Sequence, residues 1–180
     1  MVLECAAGQI PVRATGSVKE GIRKMKTATW ICDTCGGEIS DVSQGWVEWL
    51  TRVDGDERAG RGLRLVHHWP ASPKQGKYRC QYNTEDEHKK DGSTLLDSPL
   101  EHFWGADGLM RLLGLLSEDE LPKADVIEMI KRLHIGGYEL ARRHFEGAIA
   151  DGAFDTNTKP GFHTQAQIKT TLDWLRKNNA

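Results

Sequence analysis

The sequence predicts an α+β protein, with a small β module over residues 29–92 followed by a helical domain over residues 93–180. Three observations favour this arrangement. A Cys-x-x-Cys-Gly-Gly turn over residues 32–37 is flanked by strand-forming residues, and a hairpin-like pattern follows over residues 45–68. From Pro99 onward the apolar residues instead recur with the spacing of helices.

Composition narrows the classes of function. The 180 residues carry 24 basic and 26 acidic side chains, so no strong overall field draws the chain to nucleic acid or to a membrane. Neither a membrane-length apolar run nor a signal-peptide apolar region is present, so we expect a cytoplasmic protein without a membrane partner. Four cysteines in such a chain favour metal binding over disulfide bonds.

The N-terminal stretch over residues 1–28 lacks a periodic pattern and carries turn-forming residues, so we expect a mobile extension. Met25 has the appearance of a second translation start, and our hypothesis is that residues 1–24 are optional or misassigned. The intact mass of protein made from the natural gene would decide this. Cys5 lies in the same stretch and is left out of the predicted metal site.

The cysteine turn predicts a metal site. Cys32 and Cys35 direct two thiolates at one centre, and the glycines that follow let backbone amides approach the sulfur atoms. A tetrahedral site needs two further ligands, which we expect from Cys80 and from one of His67 and His68. Four protein ligands leave no open position for a catalytic water, so the sequence predicts a structural Zn²⁺ site.

The positions of the two histidines in the predicted hairpin indicate which one faces the metal. Strand-forming residues over 45–51 and 63–68 are joined by a polar, glycine-rich stretch over residues 54–62, which we expect to be a long loop. Adjacent residues of a strand point to opposite faces, so only one histidine can face the metal. His67 is preferred over His68 because it lies on the more apolar face.

The rest of the chain divides into a linker and helices. Residues 83–93 have the composition of a charged linker. Apolar periodicity predicts helices over residues 109–116, 122–133 and 138–150. A last helix is expected after Thr164, whose side chain can cap its first turn.

The residues Trp30-x-Cys32-x-x-Cys35-Gly36-Gly37, with a short strand on each side, resemble zinc-ribbon and treble-clef modules. The resemblance implies a small zinc-bearing scaffold that contacts nucleic acid or protein. The sequence departs from the usual ribbon because a histidine and Cys80, rather than a second tight Cys-x-x-Cys pair, complete the site.

A second resemblance rests on residues 66–70, Val-His-His-Trp-Pro, with Asn83 and His88 downstream. This pattern is similar to the strand-end histidine pair of zinc-assisted HNH nucleases. The resemblance implies that His68 acts as general base, while His67 and His88 bind a divalent ion beside the scissile phosphate.

A third pattern covers residues 123–150, whose two helical stretches and intervening turn have helix-turn-helix lengths. In a DNA-reading arrangement, Arg142 and Arg143 of the second helix would contact guanine edges or phosphates. The alternative is an ordinary helical hairpin with a solvated charged face. Acidic residues in the same stretch dilute the positive field and favour the hairpin.

These patterns together predict a zinc-binding adaptor or regulatory protein without catalytic residues or a small-molecule cofactor. The partner would be a protein or a nucleic acid, bound through Trp46 and Trp49 of the hairpin or through Arg142 and Arg143. Balanced charge and six tryptophans favour a protein partner. A DNA-binding regulator and an HNH-like metal-dependent nuclease are the alternatives.

Overall fold

The structure is a computed structural model that describes residues 29–55, 57–156 and 161–178. The expectations for residues 1–28 lie outside the described part of the chain. Within it, antiparallel strands precede C-terminal helices, which confirms the predicted α+β class.

The strands form two small antiparallel sheets. β1 (Trp30–Ile31) and β2 (Glu38–Ile39) pair across the cysteine turn. The second sheet has the order β4-β3-β5, from β3 (Gly45–Asp54), β4 (Glu57–His67) and β5 (Thr94–Pro99). Strand β3 is therefore central and pairs on both of its edges.

The predicted long loop of the hairpin is wrong. Strands β3 and β4 remain paired as far as Asp54 opposite Glu57, so only residues 55 and 56 separate them. The outer ends of both strands are exposed to solvent. Because this extension is held by backbone pairing beyond the core, it needs no apolar side chains, and hydrophobic patterning does not reveal it.

Strand β5 lies beyond the predicted boundary at residue 92. Its residues pair antiparallel with β3, from Thr94 opposite Thr51 to Pro99 opposite Trp46. The division of the chain into a β module and a helical domain stays a prediction, and a boundary after Pro99 would fit this sheet better.

The helices occupy the chain from residue 84 onward. They are α1 (Thr84–Asp91), α2 (Gly105–Ser117), α3 (Lys123–His134), α4 (Tyr138–Ala141), α5 (Phe145–Ala150) and α6 (Gln165–Asn178). Thr164 caps α6 as predicted, since its hydroxyl oxygen accepts from the N–H of Gln167 at 3.2 Å. In the described residues no helix is both long and apolar enough to cross a membrane.

Helix α1 replaces the predicted charged linker. The Asn83 side chain accepts from the N–H of Asp86, acidic residues fill the first turn, and Gly92 ends the helix in a left-handed conformation. Arg61 of β4 fixes the helix by ion pairs to Glu87 at 2.7 Å and Asp91 at 2.9 Å. The helix buries none of its residues, so apolar periodicity does not predict it. The sequence features that indicate this helix are its capping residues and the charges in its first and last turns.

The predicted helix over residues 138–150 is interrupted. Helix α4 ends at Ala141 and α5 begins at Phe145, with a turn between them. In this turn the N–H of His144 donates to the Ala141 carbonyl, three residues back. The turn leaves Arg142 free to reach carboxylates on other elements, and apolar periodicity alone cannot show such a break.

The main core runs from the cysteine turn into the helices. It joins Trp30 and Cys32 of the turn region, the inner faces of β3 and β4, and buried residues of α2 and α3. The indole of Trp30 meets that of Trp104 edge to face, with ring centroids 5.0 Å apart. A smaller cluster around Phe145 and Ile168 packs α4 and α5 on α6.

Arg132 of α3 connects the helices to the cysteine turn. Its side chain is buried and donates to Asp33 at 2.7 Å and to both carboxylate oxygens of Glu139 at 2.8 and 2.9 Å. It also donates to the Ile31 carbonyl at 3.0 Å, and the Ile31 N–H in turn donates to Glu139 at 3.0 Å. Burial opposes the charged form, but hydrogen bonds and charges from Glu139 and Asp33 outweigh it and raise the pKa of Arg132.

We predict that Arg132→Met lowers the free energy of unfolding by about 3 kcal/mol, because it removes a buried cation and leaves the buried carboxylate of Glu139 with Arg142 as its remaining guanidinium partner. Urea denaturation followed by tryptophan fluorescence measures the change. The control is Arg52→Met, which breaks an exposed ion pair to Asp54 that contributes at most about 1 kcal/mol. Equal losses for the two variants would contradict a structural role for the buried network.

Candidate metal centre

Three separate stretches of chain converge on one point. The turn between β1 and β2 supplies Cys32 and Cys35, the end of β4 supplies His67, and the loop before α1 supplies Cys80. Their ligand atoms all lie within 4.8 Å of one another. In the described part of the chain this is the one group of cysteine, histidine and acidic residues that can hold a metal ion.

The spacing fits tetrahedral coordination. Ideal metal–sulfur and metal–nitrogen bonds place a tetrahedral sulfur–nitrogen pair about 3.6 Å apart and a sulfur pair about 3.8 Å apart. Nδ1 of His67 lies 3.4 Å from Sγ of Cys35 and 3.9 Å from Sγ of Cys80. The four residues therefore form a Cys₃His group that can bind one metal ion with small adjustments of side-chain position.

The two adjacent histidines have separate environments. His67 is buried, and its Nε2 lies 3.0 Å from the Glu38 carbonyl oxygen. A carbonyl oxygen only accepts, so Nε2 carries the ring proton and Nδ1 keeps the lone pair that a metal needs. His68 instead stacks on Trp46, with centroids 4.5 Å apart, and is not part of the group.

The cysteine turn is shaped by its backbone. The N–H of Cys32 donates to the Gly37 carbonyl, the N–H of Gly36 donates to the Cys32 carbonyl, and the N–H of Gly37 approaches Sγ of Cys35 at 3.4 Å. A Cβ at Gly37 would lie 3.3 Å from the Cys35 sulfur and 3.4 Å from the His67 ring. Glycine at this position therefore leaves room for two ligands.

Asp33, between the two cysteines, anchors the turn to the strand that carries His67. Its N–H donates to the Leu65 carbonyl at 2.8 Å, and its carboxylate accepts from the Leu65 N–H at 2.7 Å. The same carboxylate accepts from Arg132. This role of Asp33 was not predicted, although an acidic residue between the two cysteines is visible in the sequence.

The segment around Cys80 is held by polar contacts that the sequence did not reveal. The Ser72 hydroxyl donates to Sγ of Cys80 at 3.0 Å, and the Thr34 hydroxyl donates to the Cys80 carbonyl at 2.6 Å. The N–H of Tyr82 donates to the carboxylate of Glu48, which is fully buried and paired with Arg64. Burial raises the pKa of Glu48, against the effect of Arg64.

The thiol of Cys35 is protonated in the metal-free chain at neutral pH. Desolvation by burial raises the pKa of Cys35 to about 11, against the lowering effect of the Gly37 N–H. A metal binds the thiolate, so metal binding at this site displaces a proton.

The other residues proposed for function are dispersed. Trp49 is buried in the core, while Trp46 is half-buried under His68. Arg142 is engaged by carboxylates, at 2.9 Å from Glu139 and 3.4 Å from Asp33. Trp69, which follows β4, is instead exposed, and it was not among the residues predicted to bind a partner.

The nuclease and helix-turn-helix alternatives depend on arrangements that the described residues lack. His67 lies among thiols and His68 on an indole, while His88 is on the exposed face of α1, so no His67–His68–His88 group forms there. The second helix needed for DNA reading is split between α4 and α5, and Arg143 alone of the two arginines is exposed. Both alternatives stay predictions.

Comparison with protein-family models, with curated proteins and with solved structures finds no match for this chain. The resemblances to zinc-ribbon modules and to HNH nucleases therefore rest on the quoted motifs alone.

We predict that His67→Ala weakens Co²⁺ binding by more than about 100-fold, because it removes a ligand rather than an outer partner. Titration followed by sulfur-to-cobalt charge-transfer absorption measures the affinity. His68→Ala is the matched control and should bind Co²⁺ like the unmodified chain. Loss of binding in His68→Ala, with His67→Ala unaffected, would reverse the assignment.

Proposed function

We propose that the chain is a zinc-stabilised interaction protein: a structural Zn²⁺ on Cys32, Cys35, His67 and Cys80 shapes a surface that binds a partner protein, without catalysis. The observation that carries this proposal is the convergence of four protein ligands at tetrahedral spacing. Four protein ligands complete the coordination of zinc, so no position is left for a reacting water.

The donor set favours zinc among the common metals. Three thiolates and one imidazole suit a borderline-soft ion with tetrahedral preference, whereas calcium and magnesium take oxygen ligands. The three cysteines are unpaired, as expected of a site that works in a reducing compartment such as the cytoplasm. When bound, the ion supplies a crosslink between chain segments that are far apart in sequence.

The chain's own residues prepare the site for that crosslink. The Glu38 carbonyl fixes the ring of His67 with Nδ1 inward, and Ser72 orients the sulfur of Cys80. The N–H of Gly37 partly offsets the negative charge that gathers on Cys35. These contacts orient His67 and Cys80 and reduce the charge on Cys35, as a structural metal site requires.

A protein partner fits the charge distribution better than a nucleic acid does. The net charge of the chain is −2, and Arg132 and Arg142 are committed to internal carboxylates. Affinity for a phosphate backbone depends on unpaired surface cations, which this arrangement reduces. Apolar side chains such as Trp69, which is 48% exposed, are typical of protein interfaces.

We predict that the purified protein contains one zinc per chain and that Cys80→Ser loses most of it. Elemental mass spectrometry measures the content, and Cys5→Ser, a cysteine outside the predicted site, is the control that should keep its zinc. Removal of zinc by a chelator should also reduce the near-ultraviolet circular dichroism signal of the buried tryptophans, because Trp30 packs in the core beside the cysteine turn that the ion would lock in place.

Absence of zinc in the unmodified protein, or full retention in Cys80→Ser, would overturn the structural-zinc proposal. Magnesium-dependent nicking of plasmid DNA that is lost in His68→Ala would overturn the non-catalytic proposal. Salt-dependent binding to duplex DNA that is lost in Arg143→Ala would replace the protein partner with DNA.

A further inference from the structure

A groove of about 550 Å³ opens between β1, α4 and α6. Its apolar surface comes from Ile31, Leu140, Leu172 and Leu175. Leu140 is 41% exposed and lies beside the other three apolar side chains, so the groove presents an apolar patch to solvent.

The charge at the rim of the groove is positive. Arg143 is exposed and makes no ion pair within the described residues, and Arg176 pairs only with Asp173 there, at an exposed position. The lone acidic residue of the lining is Glu139, which is 4% exposed and already paired with Arg132 and Arg142. Two exposed guanidinium groups thus line the groove: Arg143 makes no ion pair within the described residues, and Arg176 has one exposed partner, Asp173.

We propose that this groove binds a short acidic segment of a partner protein, with its apolar side chains on the leucines and its carboxylates on Arg143 and Arg176. The proposal deepens, and rests on, the proposed role as an interaction protein. An amphipathic peptide presents apolar anchors three, four and seven residues apart, which suits a groove walled by two helices. Guanidinium groups bind carboxylates through paired hydrogen bonds and so select an acidic sequence.

Fluorescence anisotropy with the full chain tests the proposal. The probe is a fluorescein-labelled peptide of about 12 residues, three helical turns, with leucines three and four apart and Asp or Glu elsewhere. We expect saturable binding, with the dissociation constant raised about tenfold or more by Arg143→Glu and by Leu140→Asn, since each removes a central contact. A probe with Lys and Arg in place of the acids should not bind.

The matched control is Arg52→Glu, which makes the same charge change on the exposed end of β3, outside the groove. It should bind the acidic probe like the unmodified chain. Equal weakening by Arg52→Glu and Arg143→Glu, or equal binding of the acidic and basic probes, would overturn the proposal. So would the absence of binding by the acidic probe.

Other occupants give different results. Self-association in analytical ultracentrifugation that is lost in Arg143→Glu would assign the groove to a second copy of the chain. Saturable binding of a medium-chain fatty acid or of a single-stranded oligonucleotide, in place of the peptide, would likewise overturn the proposal of an acidic peptide. Zinc content is measured on the unmodified chain and on every variant. Absence of zinc from the unmodified chain counts against the structural-zinc proposal, and failure of the zinc-loaded unmodified chain to bind the acidic probe counts against the groove alone.

Discussion

The guanidinium of Arg132 is the contact on which the placement of the helices against the cysteine turn depends. A buried cation without water must be matched by acceptors, and here Asp33, Glu139 and the Ile31 carbonyl supply them. Two of these acceptors belong to the turn and its strand, and the third belongs to α4. A single side chain of α3 therefore contacts the turn, its strand and α4, and so connects the main core with the smaller cluster that contains α4.

Asp33 links that ion network to the candidate metal centre. It lies between Cys32 and Cys35, and its carboxylate accepts both from Arg132 and from the N–H of Leu65, two residues before His67. The Arg132 network thus holds the turn on one side. On its other side the turn lies beside His67 and Cys80, the candidate ligands from other segments. The proposed zinc would not create the turn from an unstructured loop. It would lock ligands whose backbone positions are already set by hydrogen bonds to β4, and this is the preorganisation that favours tight binding.

The features that depend on neighbouring residues could be predicted from the sequence, whereas the contacts between residues far apart in the chain could not. The Cys-x-x-Cys-Gly-Gly turn, the alternation that separates His67 from His68 and the periodicity of α3 are properties of a few neighbouring residues. Helix α1 was missed because it buries nothing, and the outer hairpin because backbone pairing and polar contacts, rather than a regular apolar pattern, hold it. The partnership of Arg132 with Asp33 joins residues 99 positions apart, and no periodic pattern encodes such a pair.

The sequence of charged residues in the helical part also does not show which charges are exposed. Glu139 and Arg142 appear in the sequence as exposed charges of one helix that offset each other and their neighbours. In the structure the Glu139 carboxylate is buried and ion-paired, so it adds no exposed negative charge to the surface. Arg142 is ion-paired within the same network. What remains at the groove beside Ile31 is set by Arg143 and Arg176, whose positive charge the whole-chain balance of −2 conceals. The network that orders the cysteine turn therefore also determines which charges are left at the proposed binding groove.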